Sequence, residues 1–273
     1  MVRFNDGQQA SRPPHWHASA AYLYVLHLDG PALAWEYLRR HPGYRQAWRA
    51  QAADAAQPWG LRTLVDPALD AREALPYWLN ARARAIRVIP DDDPALDASP
   101  FELWRLPGHK QLQHDGRDLM LSSRWPGCCV RLTLAPELHD GMPHTFAMRA
   151  CQEPCVRYRD LANDLDQLAA ASRCEPSAAT RPRPSPSTLQ ALLTLQALDA
   201  NQAGASLREI AEGLFGSAEV ASDWHADSAL RARVRRLVQR GRSLVDGGYR
   251  ELAGLDPLAS PPQGRNSPTS DRP

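Results

Sequence analysis

Lysine is all but missing from this chain: Lys110 stands alone among 32 basic residues, set against 31 acidic ones. The net charge of +1 excludes a chain-wide polycation, so any contact with nucleic acid must come from local clustering of arginine. Long apolar runs are missing as well. The longest is Ala20–Leu26, far short of the roughly 20 residues a bilayer span requires. Residues 1–15 are polar and lack the basic-then-apolar start of a secretory signal, so a cytoplasmic protein is expected. Cysteine is sparse and odd in number. Cys128, Cys129, Cys151, Cys155 and Cys174 are irregularly spaced in a long chain, which argues for reduced thiols rather than a disulfide framework. The G-x-S-x-G, Walker and G-x-G-x-x-G patterns are absent too. No nucleophile and base can be paired, so neither an enzyme nor a cofactor is expected.

What the chain has in excess is proline, 24 residues of 273, together with alanine and arginine. Such a bias lowers the weight of any single arginine. Proline and serine crowd residues 173–187 (RCEPSAATRPRPSPS), a composition too poor in apolar surface to offset the entropy of ordering it. That stretch reads as a flexible linker. Residues 1–14 and 254–273 read as disordered tails, leaving an N-terminal module over 15–172 and a compact block over 188–253.

The N-terminal module mixes periods. Asp29-Gly30-Pro31 starts a helix that Pro42 ends, and a second is expected from Tyr44 to Ala56. Short runs around Ile86–Ile89, Phe101–Leu106, Leu119–Leu121, Val130–Leu134 and Phe146–Met148 then read as a small antiparallel sheet. Asp115-Gly116 marks a hairpin within it. A helix over Tyr158–Ala171 follows. The fold class expected is therefore α+β, with an all-α C-terminal domain of helix-turn-helix type.

In the C-terminal block, Leu189, Leu192, Leu193, Leu195 and Leu198 define a helix with a broad buried face. Ser206 and Glu209 form a capping-box pair at the start of a second helix that ends at Gly216. Asp227 or Ser228 can cap a third, Ala229 to about Val245. In that third helix Leu230, Val234, Leu237 and Val238 occupy one arc of about 100°. Arg231, Arg235 and Arg242 flank the arc on one side and Arg233, Arg236 and Arg240 on the other, with no acid from Ala229 to Val245. Guanidinium groups in that arrangement match phosphates and guanine edges. The arginines nearest the helix start are expected to read bases. Tyr249 and Arg250, after Gly247-Gly248, are further candidates for a phosphate contact. A merely solvated face is the bland alternative, and a regulator that works only by protein contact, its arginine face docking an acidic partner, is the competing one.

Two long motifs carry a resemblance. ALDANQAGASLREIAEGLFG followed by DWHADSALRARVRRLVQRGRSLVDGGYREL is similar to the C-terminal domain of FseA-type transcriptional activators and QseM-type antiactivators of integrative and conjugative elements. AAYLYVLHLDGPALAWEYLRRHPGYRQAW, with PWGLRTLVDP after it, resembles the domain that accompanies it in the activators. The resemblance covers about half of the chain and implies a DNA-binding activator of excision or transfer genes. Its implied partners are double-stranded promoter DNA, RNA polymerase and a small antiactivator protein.

Other candidates carry less. Cys151 and Cys155, with His139, His144 and Cys128 or Cys129, have metal-like spacing but no repeated C-x₂-C pair. Asp91-Asp92-Asp93 could hold a hard cation or be a solvated turn. The aromatic residues Trp16, Tyr22, Tyr24, Trp35, Tyr37, Tyr44, Trp48 and Trp59 suit a core or a protein-contact surface, and Arg39, Arg40 and Arg45 could add a second DNA contact.

Overall fold

A computed structural model describes residues 15–52, 54–74, 76–81, 85–114, 116, 118–125, 128–148, 154–173 and 184–255. The described residues divide into two compact units, and the division is interleaved: 15–26 join 185–243 in one, and 27–173 join 244–255 in the other. The boundaries read from composition, 15–172 and 188–253, therefore cut across both units. Composition reports where chain is poorly packed, not which segment fills which core. Of the linker expected over 173–187, residues 174–183 lie outside the described residues, while Arg173 ends one helix and Ser185 caps another that begins at Pro186; of the expected tails, 1–14 and 256–273 lie outside the described residues.

The larger unit begins with α1 (Gly30–Leu38), whose N-cap Asp29 accepts from Ala32 N at 3.0 Å. Next comes α2 (Pro42–Ala50), capped by the His41 ring. The second helix is shorter than expected because Gln51 turns left-handed at φ 47°. The sheet follows: β1 (Ile86–Pro90), β2 (His109–His114), β3 (Leu119–Trp125), β4 (Cys128–Leu134) and β5 (His144–Ala147). Their order is β2-β3-β4-β1-β5. The sheet is mixed rather than wholly antiparallel, because β1 runs parallel to β4 with Ile86 opposite Leu132 and Val88 opposite Leu134. The run Phe101–Leu106 is not a strand: Leu103–Arg105 form a single 3₁₀ turn, and Phe101 lies in the core. Gly116, at φ +89°, sits in the β2–β3 hairpin, whose flanking Asp115 and Arg117 lie outside the described residues. Helix α3 (Pro154–Arg173) sets Leu161 and Leu165 against a core of Ile86, Val88, Leu121, Val130 and Leu132.

The smaller unit is helical: α4 (Pro186–Gln202), α5 (Leu207–Phe215), α6 (Ser217–Asp223) and α7 (Ala229–Ser243). Ser185 caps α4 by accepting from Thr188 N. Both halves of the expected capping box form on α5: Ser206 Oγ accepts from Glu209 N at 3.3 Å, and Glu209 Oε2 from Ser206 N at 2.7 Å. Ser228, not Asp227, caps α7 by accepting from Arg231 N at 3.1 Å. An additional element, α6, separates α5 from α7 where a plain connection was expected, so the tight two-helix turn of the sequence reading is interrupted. Val220 explains it: this one residue of α6 is fully buried in the shared core with Ile210, Val234 and Leu237.

The same core contains Trp16. Its ring fits against α5 so closely that a Cβ at Gly213 would come within 2.9 Å of it. Gln196 Nε2 donates to the Trp16 carbonyl at 2.8 Å, and the Tyr22 hydroxyl donates to Asp199 Oδ2 at 2.8 Å. Residues 15–26 are thus a structural part of the helical unit, a pairing across some 180 positions that local patterning does not encode.

Candidate nucleic-acid interface

Helix α7 is held by one face. Leu230, Val234, Leu237 and Val238 are all buried, as their spacing requires, and so is Gly241. A Cβ at Gly241 would meet Leu198 Cβ at 3.0 Å and the Thr194 carbonyl at 3.3 Å. The glycine lets α7 and α4 approach until backbone meets side chain, a use of glycine that the hydrophobic arc alone does not disclose.

Around the rest of the helix the arginines face outward. Arg233, Arg235, Arg236, Arg240 and Arg242 are exposed and Arg231 is half-buried. Among the described residues no carboxylate forms an ion pair with any of the six; the ion pairs of the unit are Arg208–Glu212 and His225–Asp223. Two of the arginines are nevertheless steadied by neutral partners. Arg233 lies over the Phe215 ring at 4.8 Å, a cation–π contact, and Arg242 Nε donates to Asn201 Oδ1 at 3.0 Å. Arg233, Arg236 and Arg240 line a cleft of about 550 Å³ whose other wall is Pro186, Leu189, Gln190 and Leu193 of α4. The surface is therefore cationic, partly ordered in advance, and available to an anion, since an exposed guanidinium without a carboxylate partner keeps its full donor set.

Tyr249 and Arg250 are not surface residues. After Ser243 the helix widens through Leu244–Gly248, kinked at Gly247 (φ 133°), into α8 (Tyr249–Leu252). Tyr249 is fully buried; its hydroxyl donates to the Trp59 carbonyl at 3.3 Å, and burial pushes the phenol above its ordinary pKa. Arg250 is buried too and donates to the Pro58 carbonyl at 3.3 Å. Neither can reach a phosphate without breaking the core of the larger unit, so both drop out of the predicted DNA-contact set. The cause is packing: α8 belongs to the larger unit, and its side chains are buried in that unit's core.

Arg39 and Arg40, two of the three residues of the second cationic candidate, are taken up by packing in the same way, whereas Arg45 is exposed. Glu36, fully buried, accepts from Arg39 Nε at 2.7 Å and Arg40 Nη1 at 2.6 Å, and its other oxygen accepts from Ala71 N at 2.7 Å. Burial would raise the Glu36 pKa, but the Arg40 and Arg39 guanidiniums outweigh it and hold the carboxyl below its ordinary value. Arg45 Nε donates to the Arg39 carbonyl. Trp35, Tyr37, Tyr44 and Trp59 are buried core, with Tyr44 edge-on to both tryptophans, which removes them as a protein-contact surface. Asp91–Asp93 form a surface turn in which Asp93 N donates to Asp91 Oδ1 at 3.2 Å. Among the described residues no group of three or more His, Cys, Asp or Glu side chains is placed to hold a metal. Cys151 and Cys174 lie outside the described residues, as does the side chain of Cys155. Nor is any described helix long and apolar enough to cross a membrane.

Three family models match successive parts of the chain. Residues 15–62 match a proteobacterial transcriptional regulator-like domain, residues 83–130 a domain of unknown function, DUF7011, and residues 132–253 a family described as T6SS, transcription factor, DNA binding domain. No curated protein matches the chain. The matches support the general class of the resemblance seen in the sequence and not its particular FseA type. Because the last match contains the whole arginine-bearing helix, the geometry and the comparisons meet on one statement: this chain is a transcriptional regulator built with a domain of the DNA-binding kind.

Proposed function

We propose that the protein binds double-stranded promoter DNA through α7, acting in the cytoplasm as a non-enzymatic activator. The observation that carries this is the set of six arginines around a helix anchored by its apolar face, with no carboxylate neutralising them among the described residues. Phosphates of one strand take the cleft edged by Arg233, Arg236 and Arg240, and the Arg231, Arg235 and Arg242 side serves the other strand. The helices α5, α6 and α7 act as a helix-turn-helix variant, with α6 inserted before the helix that enters the groove.

The test replaces Arg235, Arg236 and Arg240 by alanine in the full chain and follows duplex binding against salt. Each lost phosphate contact lowers the log–log salt slope by about 0.9, so the triple variant loses about 2.7 and binds far more weakly. Its far-UV circular dichroism and melting temperature stay unchanged, because all three side chains are exposed. Unaltered binding and slope would place the DNA site elsewhere, and absence of DNA binding by the parent protein at low salt would favour a regulator that works by protein contact alone.

The long C-terminal motif, resembling that of FseA-type activators, supports excision or transfer genes of a mobile element as targets, with RNA polymerase and a small antiactivator as protein partners. Transcript profiling of a deletion strain tests it. Loss of those transcripts is expected; loss of type VI secretion transcripts in their place, as the family matched by residues 132–253 suggests, would replace this target assignment.

A further inference from the structure

The exposed circumference of α7 is not uniform. At about 100° per residue, Arg231, Arg235 and Arg242 form one shoulder and Arg233, Arg236 and Arg240 the other. Along the crest between them, opposite the buried line of Leu230, Val234, Leu237 and Gly241, lie Ala232, Gln239 and Ser243. Gln239 and Ser243 are exposed and Ala232 is half-buried. The helix is therefore cationic on both shoulders and uncharged along its crest.

That profile matches a major groove in cross-section. The groove is about 12 Å wide and 8.5 Å deep and is bordered on both rims by phosphates. Shoulders that carry arginine meet the two backbones, and the crest faces the base edges. The structure supports this division of labour independently of helix phase. Arg233 is drawn aside onto the Phe215 ring, Arg242 is bonded to Asn201 on α4, and Arg233, Arg236 and Arg240 turn into the cleft beside α4. Arg236 at the midpoint of the helix and Arg240 and Arg242 beyond it stand on either side of Gln239.

We infer that Gln239 is a specificity-determining residue, reading an adenine in the major groove, with Ala232 providing the close approach that brings the crest to the bases. This rests on the DNA-binding reading given above. Gln239 is the one crest residue with both an amide acceptor and amide donors, the set that pairs with adenine N7 and N6. Ala232 offers only a methyl group, small enough to leave the groove floor accessible and suited to contact with a thymine methyl. The two lie two helical turns apart, about 10 Å along the axis. The sequence reading, which assigned base contacts to the arginines nearest the helix start, gives way here: the arginines set affinity, and the uncharged crest sets sequence.

The experiment is selection from a randomised duplex library with the full chain and two variants, Gln239→Ala and Gln239→Glu. The parent protein enriches a motif containing a fixed adenine. Gln239→Ala flattens preference at that one position and weakens binding to the parent motif by about tenfold or more. Gln239→Glu moves the preference there from adenine to cytosine, whose N4 amine donates to a carboxylate. If the parent enriches a motif and both variants enrich the same one unchanged, the inference fails and DNA binding stands. If the parent enriches none, both fail.

Discussion

Replacing Trp16 by alanine tests whether residues 15–26 belong to the helical unit. Trp16 is 5% exposed and shares a core with Ile210, Val220, Val234 and Leu237. A buried tryptophan removes about 150–250 Å² from water, which at about 25 cal/mol per Å² is an upper bound of about 4–6 kcal/mol. Truncation of a buried Trp to Ala costs about 3–5 kcal/mol in measured series. The structure favours the upper half of that range. Gly213 already lets α5 touch the ring, and the hydrogen bonds from Gln196 to the Trp16 carbonyl and from Tyr22 to Asp199 keep the segment in place. The space therefore remains as a cavity rather than collapsing. The assay is native-state amide exchange on the full chain, comparing Ile210 and Val234 with Leu121 and Leu132 of the sheet. Exchange at the first pair accelerates by roughly a thousand- to a few thousand-fold, at about 1.4 kcal/mol per decade, while the second pair is unaffected. Duplex binding falls with it, because the buried face of α7 lines the same core. Equal exchange rates in the variant and the parent would refute the assignment of the N-terminal segment to this unit.

Two further outcomes follow from the packing. Glu36 contributes stability while ionised: its folded pKa lies below its ordinary value, so this contribution is present above about pH 4.5 and is lost as pH falls through the folded value. Acid unfolding of the parent protein shows that dependence. Glu36→Gln lacks it and is less stable at neutral pH, because the charge that pairs with buried Arg40 and with Arg39 is removed; a parent-like acid profile in that variant would count against the network. Gly241→Leu overfills the α4–α7 contact and lowers stability by about 1–3 kcal/mol in urea unfolding, and an unchanged midpoint would show that the two helices are not in close approach.

Much of this protein is determined by short stretches of sequence. The capping box at Ser206 and Glu209, the buried line of α7 and its arginine shoulders are local, because a helix places residues three and four apart on one face whatever surrounds it. The strands other than β2 were legible as alternating runs, although the parallel pairing of β1 with β4 depends on segments more than forty residues apart and leaves no local mark. Tertiary structure alone decided which side chains a surface could use. Tyr249 and Arg250 look like phosphate ligands in the sequence and are core residues in the fold. Arg39 and Arg40 look like a basic patch and are bound to Glu36. Trp16 belongs to a core whose other members lie between Ala197 and Val238, at the far end of the chain. Periodicity states which residues share a face; only the packed chain determines whether that face meets water, a partner helix or a buried carboxylate, because burial is a property of what arrives from elsewhere in the chain.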